Sequence, residues 1–205
     1  MVACLSYFRL VQARTFTEQA RRKQIVDAAI ETIAEIGYAK ASFARIAERA
    51  GLSSTGLISY HFANKSELIE QAALSVITDI GGFVHVRVTA ATTAPDRLRA
   101  YIIGTTEFIG THRTQMRALL NIFLNGGLGY DGSDEQQVLS PIEQLLTDGQ
   151  NSGDFRDFDV RVMATAIQRA VDGLPLLLQA HPDVDPTSYG EELVTLFDLA
   201  TRPPK

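Results

Sequence analysis

The feature that most constrains this chain is the spacing of its apolar residues, which recur at helical intervals between glycine and proline stops. Ile25, Ala28, Ala29, Ile33 and Ile36 fall on one stripe of a 3.6-residue period, and Gly37 ends it. Thr15 with Glu18 three residues on has capping-box form, so the pattern predicts a first helix over Thr17–Ile36. Alternation of β-branched residues is confined to Val84–Val88, which stands alone within a helical stretch. An all-α fold follows.

The same reading carries on along the chain. Ser42 caps a short helix Phe43–Ala50, with Phe43, Ile46 and Ala47 on one face, and Gly51 ends it. Ser53 or Ser54 can cap a third short helix reaching His61, and Asn64 with Glu67 resembles another capping box that opens a long fourth helix. Pro95 suits the first turn of a helix over Asp96–Gly110, and Arg113–Leu124 follows. Asn125–Ser133 is glycine-rich and reads as a loop before an amphipathic Glu135–Gly149. Val160–Ala180 is expected to kink at Gly173 and Pro175, and Thr187–Leu199 is the last helix.

Composition excludes several classes. Of the 205 residues, 45% are hydrophobic and 21% charged, which is ordinary for a globular chain and excludes wholesale disorder. No uninterrupted apolar run approaches the roughly 18 residues of a membrane span, so no membrane partner is expected. One cysteine, Cys4, excludes an internal disulfide framework and is in keeping with a cytoplasmic protein. Residues 1–13 lack the basic start and cleavage site of a secretory signal and read as a leader. Charge is divided unevenly. Residues 1–65 hold nine Lys/Arg against five Asp/Glu, a net of +4, which leaves a net of −9 in the remainder of a chain whose total is −5. A basic first third on an acidic body suggests that only the first part meets a polyanion.

Ser42–Phe62 is the most informative stretch. Two short helices joined by a glycine-containing turn make the helix-turn-helix form. Ala47 and Ala50 are small enough for close helix approach, Gly51 permits a left-handed turn, and Leu52 and Leu57 can pack beneath both helices. Tyr60 and His61 carry groups that donate to phosphate oxygens. A small-residue helical hairpin in any all-α protein shows the same pattern.

Arg21–Ile69 resembles the N-terminal DNA-binding domain of TetR/AcrR-type transcriptional regulators. The resemblance rests on Ile25–Ala29, Gly37, the run FARIAERA (Phe43–Ala50), Gly51, Ser53, Tyr60, His61, Phe62, Lys65 and Leu68. It implies an all-α protein of about nine helices: a leader over 1–15, a three-helix helix-turn-helix domain over 16–65, and a helical effector-binding and dimerisation domain over 66–205. It implies that Ser54–His61 is the recognition helix in the major groove. Thr55, Gly56, Leu57 and Ser59 then fall where base or sugar-phosphate contacts are made, and Tyr60, His61 and Lys65 where phosphates are met. Ser42 caps the helix before the turn, Ser53 or Ser54 the one after it, and Arg45 can reach the DNA backbone. Many family members have one residue fewer between the A-G-x-S serine and the phenylalanine, which leaves the cap ambiguous here. No Arg, Lys, Asn or Gln lies between Ser53 and Phe62, so specificity is expected from methyl groups, hydroxyls and DNA shape.

For the remainder, the resemblance implies a homodimer on a palindromic double-stranded operator and a small-molecule effector. The dimer face is expected on the last two helices, with Leu174, Leu177, Leu178, Leu193, Leu196 and Phe197 as apolar candidates. Phe83, Tyr101, Thr105, Phe108, His112, Met116, Asn121, Phe123, Tyr130, Met163 and Gln168 are candidates for an effector pocket suited to a largely apolar ligand. The expected function is a repressor released by that ligand. A regulator of the same fold acting as an activator or without ligand, and a helical adaptor with a vestigial helix-turn-helix, are the alternatives. Enzymatic signals are absent: Gly51–Gly56 is too long for a nucleophile elbow, and His61, His85, His112 and His181 are dispersed without metal-ligand spacing. No cofactor or metal is implied.

Overall fold

The computed structural model describes residues 2–126 and 132–204; of the side chains of residues 2–16 and 132–134 nothing is said. The elements are α1 (Val2–Ile36), a 3-10 turn (Tyr38–Lys40), α2 (Phe43–Arg49), α3 (Gly56–His61), α4 (Lys65–Ala90), α5 (Ala94–Thr111), α6 (Arg113–Leu124), α7 (Gly132–Ser152), α8 (Val160–Asp172), α9 (Leu174–Ala180) and α10 (Pro186–Thr201). No strand occurs among the described residues. The all-α fold is as expected. Helices α8 and α9 are the two halves of the kinked Val160–Ala180 helix, so nine helices result among the described residues. Gly173 keeps helical dihedrals at the kink, and Pro175 has no N–H to offer the preceding turn.

Local signals explain most boundaries. The Ser42 hydroxyl accepts from Arg45 N, and Thr93 accepts from Asp96 N with Pro95 in the first turn of α5. Asp159 accepts from Val162 N, and Asp185 from Thr187 N and Ser188 N, at the starts of α8 and α10. Several boundaries differ from expectation; α7, for one, begins at Gly132, inside the expected Asn125–Ser133 loop. Helix α1 begins at Val2 and passes through Thr15 and Glu18 without a break, because no Gly or Pro interrupts Val2–Ile36. The extra residue before α3 is taken up by the turn. Neither Ser53 nor Ser54 caps the helix; the N-cap is Thr55, and its side chain makes no capping bond.

The chain forms two compact units. The first holds the chain up to Ser75 together with α6 from Arg117 onward. Its core includes Ile25, Ala29, Ile33, Ile46, Ile58, Phe62, Leu68, Ile69, Leu119 and Ile122. Ile25, Ala29 and Ile33 are the stripe read from the sequence. Gly37 has φ 83°, the left-handed stop that ends α1. The second unit holds Val76–Met116 and the chain from α7 onward. Helix α5 is its centre, packed against α7, α8, α9 and α10. Leu98, Ile102, Leu139, Ile142, Leu146, Phe155, Ala164, Ile167, Val171 and Phe197 make its main core. Helix α4 is long and apolar enough by length and composition to cross a membrane, but Leu68, Ile69, Ala72, Ala73 and Val76 of that helix are buried in the protein.

Candidate nucleic-acid interface

The turn between α2 and α3 is built as the residue types require. Ile46 and Ala47 are buried, Leu52 N donates to Ala47 O, and Gly51 takes φ 64°. Only one α3 residue is buried, Ile58, at 0% exposure. Phe62, one residue past the helix, is buried beneath it. Ile58, not Leu57, therefore packs under α3; Leu57 points outward at 38% exposure. Ser53, Ser54, Thr55, Gly56, Leu57, Ser59 and Tyr60 are all exposed, and His61 is half-buried. Among the described residues Tyr60 is the most open large apolar side chain at 76% exposure, and its ring meets His61 edge-on at 5.0 Å. Ser42 and Arg45 are exposed at the start of α2.

Helix α1 holds the far ends of both short helices. Gln24 Nε2 donates to Ala50 O at 2.7 Å, at the end of α2. Arg22 Nη1 donates to His61 O at 2.5 Å, at the end of α3. Arg49 pairs with Glu31 and Glu35 of α1 and is thereby spent within the unit. Lys65, expected at a phosphate, is engaged within the unit. Its ammonium donates to Tyr38 O at 3.0 Å and lies 4.8 Å from the Tyr38 ring centroid, so it braces the 3-10 turn. The capping box of α4 is present: Asn64 Oδ1 accepts from Glu67 N, while Glu67 reaches back to Ala63 N at 2.7 Å. That backbone donor is the main reason the Glu67 carboxyl lies below its ordinary range, with Arg22 adding to the effect.

The expected effector residues do not form one group. Tyr101, Thr105, Phe108 and His112 share one face of α5. Phe108 stacks on His112 at 4.0 Å, and Phe83 meets both rings edge-on at 5.4 and 5.8 Å. The Arg87 guanidinium lies 3.6 Å from the Phe83 ring centroid and pairs with Glu107. Further along the face, Tyr101 Oη donates to Gln168 Oε1, and Gln168 Nε2 donates to Asp172 Oδ1. Burial, reinforced by the Asp172 carboxylate, holds the Tyr101 phenol well above its ordinary pKa. Burial likewise raises Asp172, although part of its side chain meets solvent. Met163 packs on the main core of the second unit, and Met116 on a smaller cluster with Ile109, Leu174 and Leu178.

Asn121 and Phe123 belong to the first unit instead, because α6 joins it from Arg117 onward, and a Cβ on Gly37 would meet Asn121 Oδ1 at 3.7 Å. Tyr130 lies outside the described residues. A surface cleft of about 410 Å³ between α5 and α10 is lined by Leu98, Arg99, Phe155, Val194, Asp198 and Arg202, among others, and by none of the expected pocket residues. The expected dimer residues also divide. Leu174, Leu178 and Phe197 are buried in the unit's own cores, Leu177 and Leu193 are partly buried, and Leu196 stays 56% exposed.

A capped helix, a left-handed glycine turn and a second helix whose buried side chain is Ile58, with Phe62 just past its end, define a helix-turn-helix DNA-binding protein. Residues 25–72 match the model of the bacterial regulatory proteins of the tetR family. The chain is 34% identical over 163 residues to the HTH-type transcriptional regulator BetI of Escherichia coli (strain K12 / DH10B), a match covering 78% of this chain and 80% of that protein. It is 38% identical over 101 residues to BetI 1 of Chromohalobacter salexigens, there spanning 49% of this chain and 50% of that one. Among solved structures, a tetR-family regulatory protein from Rhodococcus RHA1 superposes with a TM-score of 0.76 at 20% identity, covering 90% of this chain and 98% of that one. The regulator FadR of Bacillus subtilis, in complex with stearoyl-CoA, gives 0.73 at 22% identity, covering 85% and 96%. The chain belongs to the tetR family. It is a DNA-binding transcriptional regulator and not an enzyme.

Proposed function

We propose that this regulator is a cytoplasmic repressor that binds a palindromic operator as a homodimer and leaves it when a small, largely apolar effector binds the second unit. The observation that carries the reading is the outer surface of α3, where Leu57, Ser59 and Tyr60 are exposed to solvent while Ile58 and Phe62 are buried. One such helix reads one half-site, so a symmetric pair is needed for a full operator. Leu176, Leu196 and Leu199 are exposed apolar residues on α9 and α10 and replace Leu174, Leu178 and Phe197 as the candidates for the dimer face. The α5 face from Tyr101 to His112 supports an effector that stacks on aromatic rings and meets a few polar groups. The effector shifts the dimer towards a state whose recognition helices are wrongly spaced for successive major grooves, and operator affinity falls by its differential binding energy.

The test is a titration of a fluorescent operator duplex with the full chain, repeated over a range of salt and with added stearoyl-CoA as a first probe with a long apolar chain. A steep loss of affinity with salt, half-site spacing near one helical turn, and release by an apolar ligand support the reading. Operator affinity that no apolar ligand changes removes the release step.

A further inference from the structure

Helix α3 is short and weakly tied at its start. It has six residues, a Thr55 cap whose side chain makes no capping bond, and one buried side chain. Its far end is held much more firmly. Arg22 reaches over from α1 with both terminal guanidinium nitrogens engaged. Nη1 donates to His61 O at 2.5 Å, Nη2 to Glu67 Oε1 at 3.3 Å, and the guanidinium carbon lies 4.2 Å from the Phe62 ring centroid. The second Glu67 oxygen accepts from Ala63 N at 2.7 Å, where the chain passes from α3 to α4. His61 O lies at the end of the helix, where carbonyls lack intrahelical partners. The ring of His61 is packed against Tyr60, the most exposed large apolar side chain of α3.

We propose that Arg22 and Glu67 form a guanidinium–carboxylate clamp that sets the orientation of α3, making them positioning residues for operator recognition that do not themselves touch DNA. The inference rests on the reading of α3 as the element that enters the groove. Three features argue for orientation over bulk stability. The Arg22 and Glu67 side chains keep 37% and 38% of their surface exposed, and an ion pair that open adds little to folding. Its planar fork bridges two different elements and stacks on a ring, a geometry that a lysine cannot reproduce. The clamp also acts at the far end of a helix whose start has no side-chain capping bond.

Charge gives the test its sign. Glu67→Gln removes one negative charge, so electrostatics alone strengthens binding to any DNA. A loosened α3 weakens binding to the operator only. Full-length wild type, Glu67→Gln and Arg22→Lys are titrated by anisotropy against a duplex selected from a random pool and against a scrambled duplex, at several salt concentrations. Thermal melts on the same samples confirm folding. The expected result is about a tenfold loss on the selected duplex for each variant, no loss on the scrambled one and an unchanged salt slope. Arg22→Lys, which keeps the charge, serves where Glu67→Gln lowers solubility. Equal losses on both duplexes, or folded variants that keep full operator affinity, overturn the clamp. A wild-type protein that does not prefer the selected duplex overturns the reading of α3 and the clamp together.

Discussion

Lys65→Met separates two roles that the sequence motif and the structure give to one side chain. Its place beside Tyr60, His61 and Phe62 implies a phosphate contact, whereas its ammonium is engaged with Tyr38 O at 3.0 Å and with the Tyr38 ring at 4.8 Å. A hydrogen bond from a charged donor contributes about 1.5–3 kcal/mol and an exposed cation–π contact about 0.5–1 kcal/mol. Lys65 is half-buried, so solvent screening brings the total down to about 1–2 kcal/mol. In a chain of this size that is a fall of about 2–8 °C in melting temperature. Methionine keeps most of the aliphatic stem, so the change reports on the ammonium. Circular dichroism melts read the stability, and the slope of log Kobs against log salt reads the phosphate contact, worth about 0.9 per phosphate. The structure predicts a lower melting temperature with the slope unchanged within about 0.3. An unchanged melting temperature with a slope smaller by about one would refute the bracing role and restore the phosphate assignment.

Three further outcomes follow from the second unit. A Cβ on Gly149 would collide with the buried ring of Phe155 and lie 2.9 Å from Ala94 Cβ, so Gly149→Ala costs at least about 1 kcal/mol in urea unfolding despite the better helix propensity of alanine. Tyr101→Phe leaves Gln168 Oε1 without its phenol donor at a site 8% exposed, a loss of about 1–3 kcal/mol; a change below about 0.5 kcal/mol contradicts the buried pair. Asp185 caps α10, and its bonds to Ser188 and Thr187 hold its carboxyl below the ordinary range. A depressed folded pKa stabilises above the unfolded value and is lost as pH falls through the folded one. Asp185→Ala therefore melts earlier at neutral pH, and the gap to wild type closes in acid.

How far the sequence could be read depended on whether the relevant signal was local. The Ile25–Ile36 stripe, the Gly37 and Gly51 turns and the caps at Ser42 and Asn64 are local, and they locate the helix-turn-helix. The α3 cap was ambiguous because Ser53, Ser54 and Thr55 are all good capping types, and only the backbone selects Thr55. Helical spacing does not separate the leucines of α9, which occupy several faces; packing turns Leu174 and Leu178 inward while Leu176 stays out. Asn121 and Phe123 lie on one of the middle helices that carry the effector candidates; α6 returns to the first unit from Arg117, which no local pattern records. The Arg22–Glu67 pair spans 45 residues of sequence, and the second role of Lys65 spans 27, so neither was legible.

The central claim is that α3 reads a specific DNA sequence. Selection of bound duplexes from a random-sequence pool, followed by anisotropy of the enriched duplex against a scrambled one at physiological salt, tests it most directly. The account predicts enrichment of an inverted repeat bound about a thousandfold or more tighter than the scrambled duplex. Equal affinity for both, from folded protein, would contradict it.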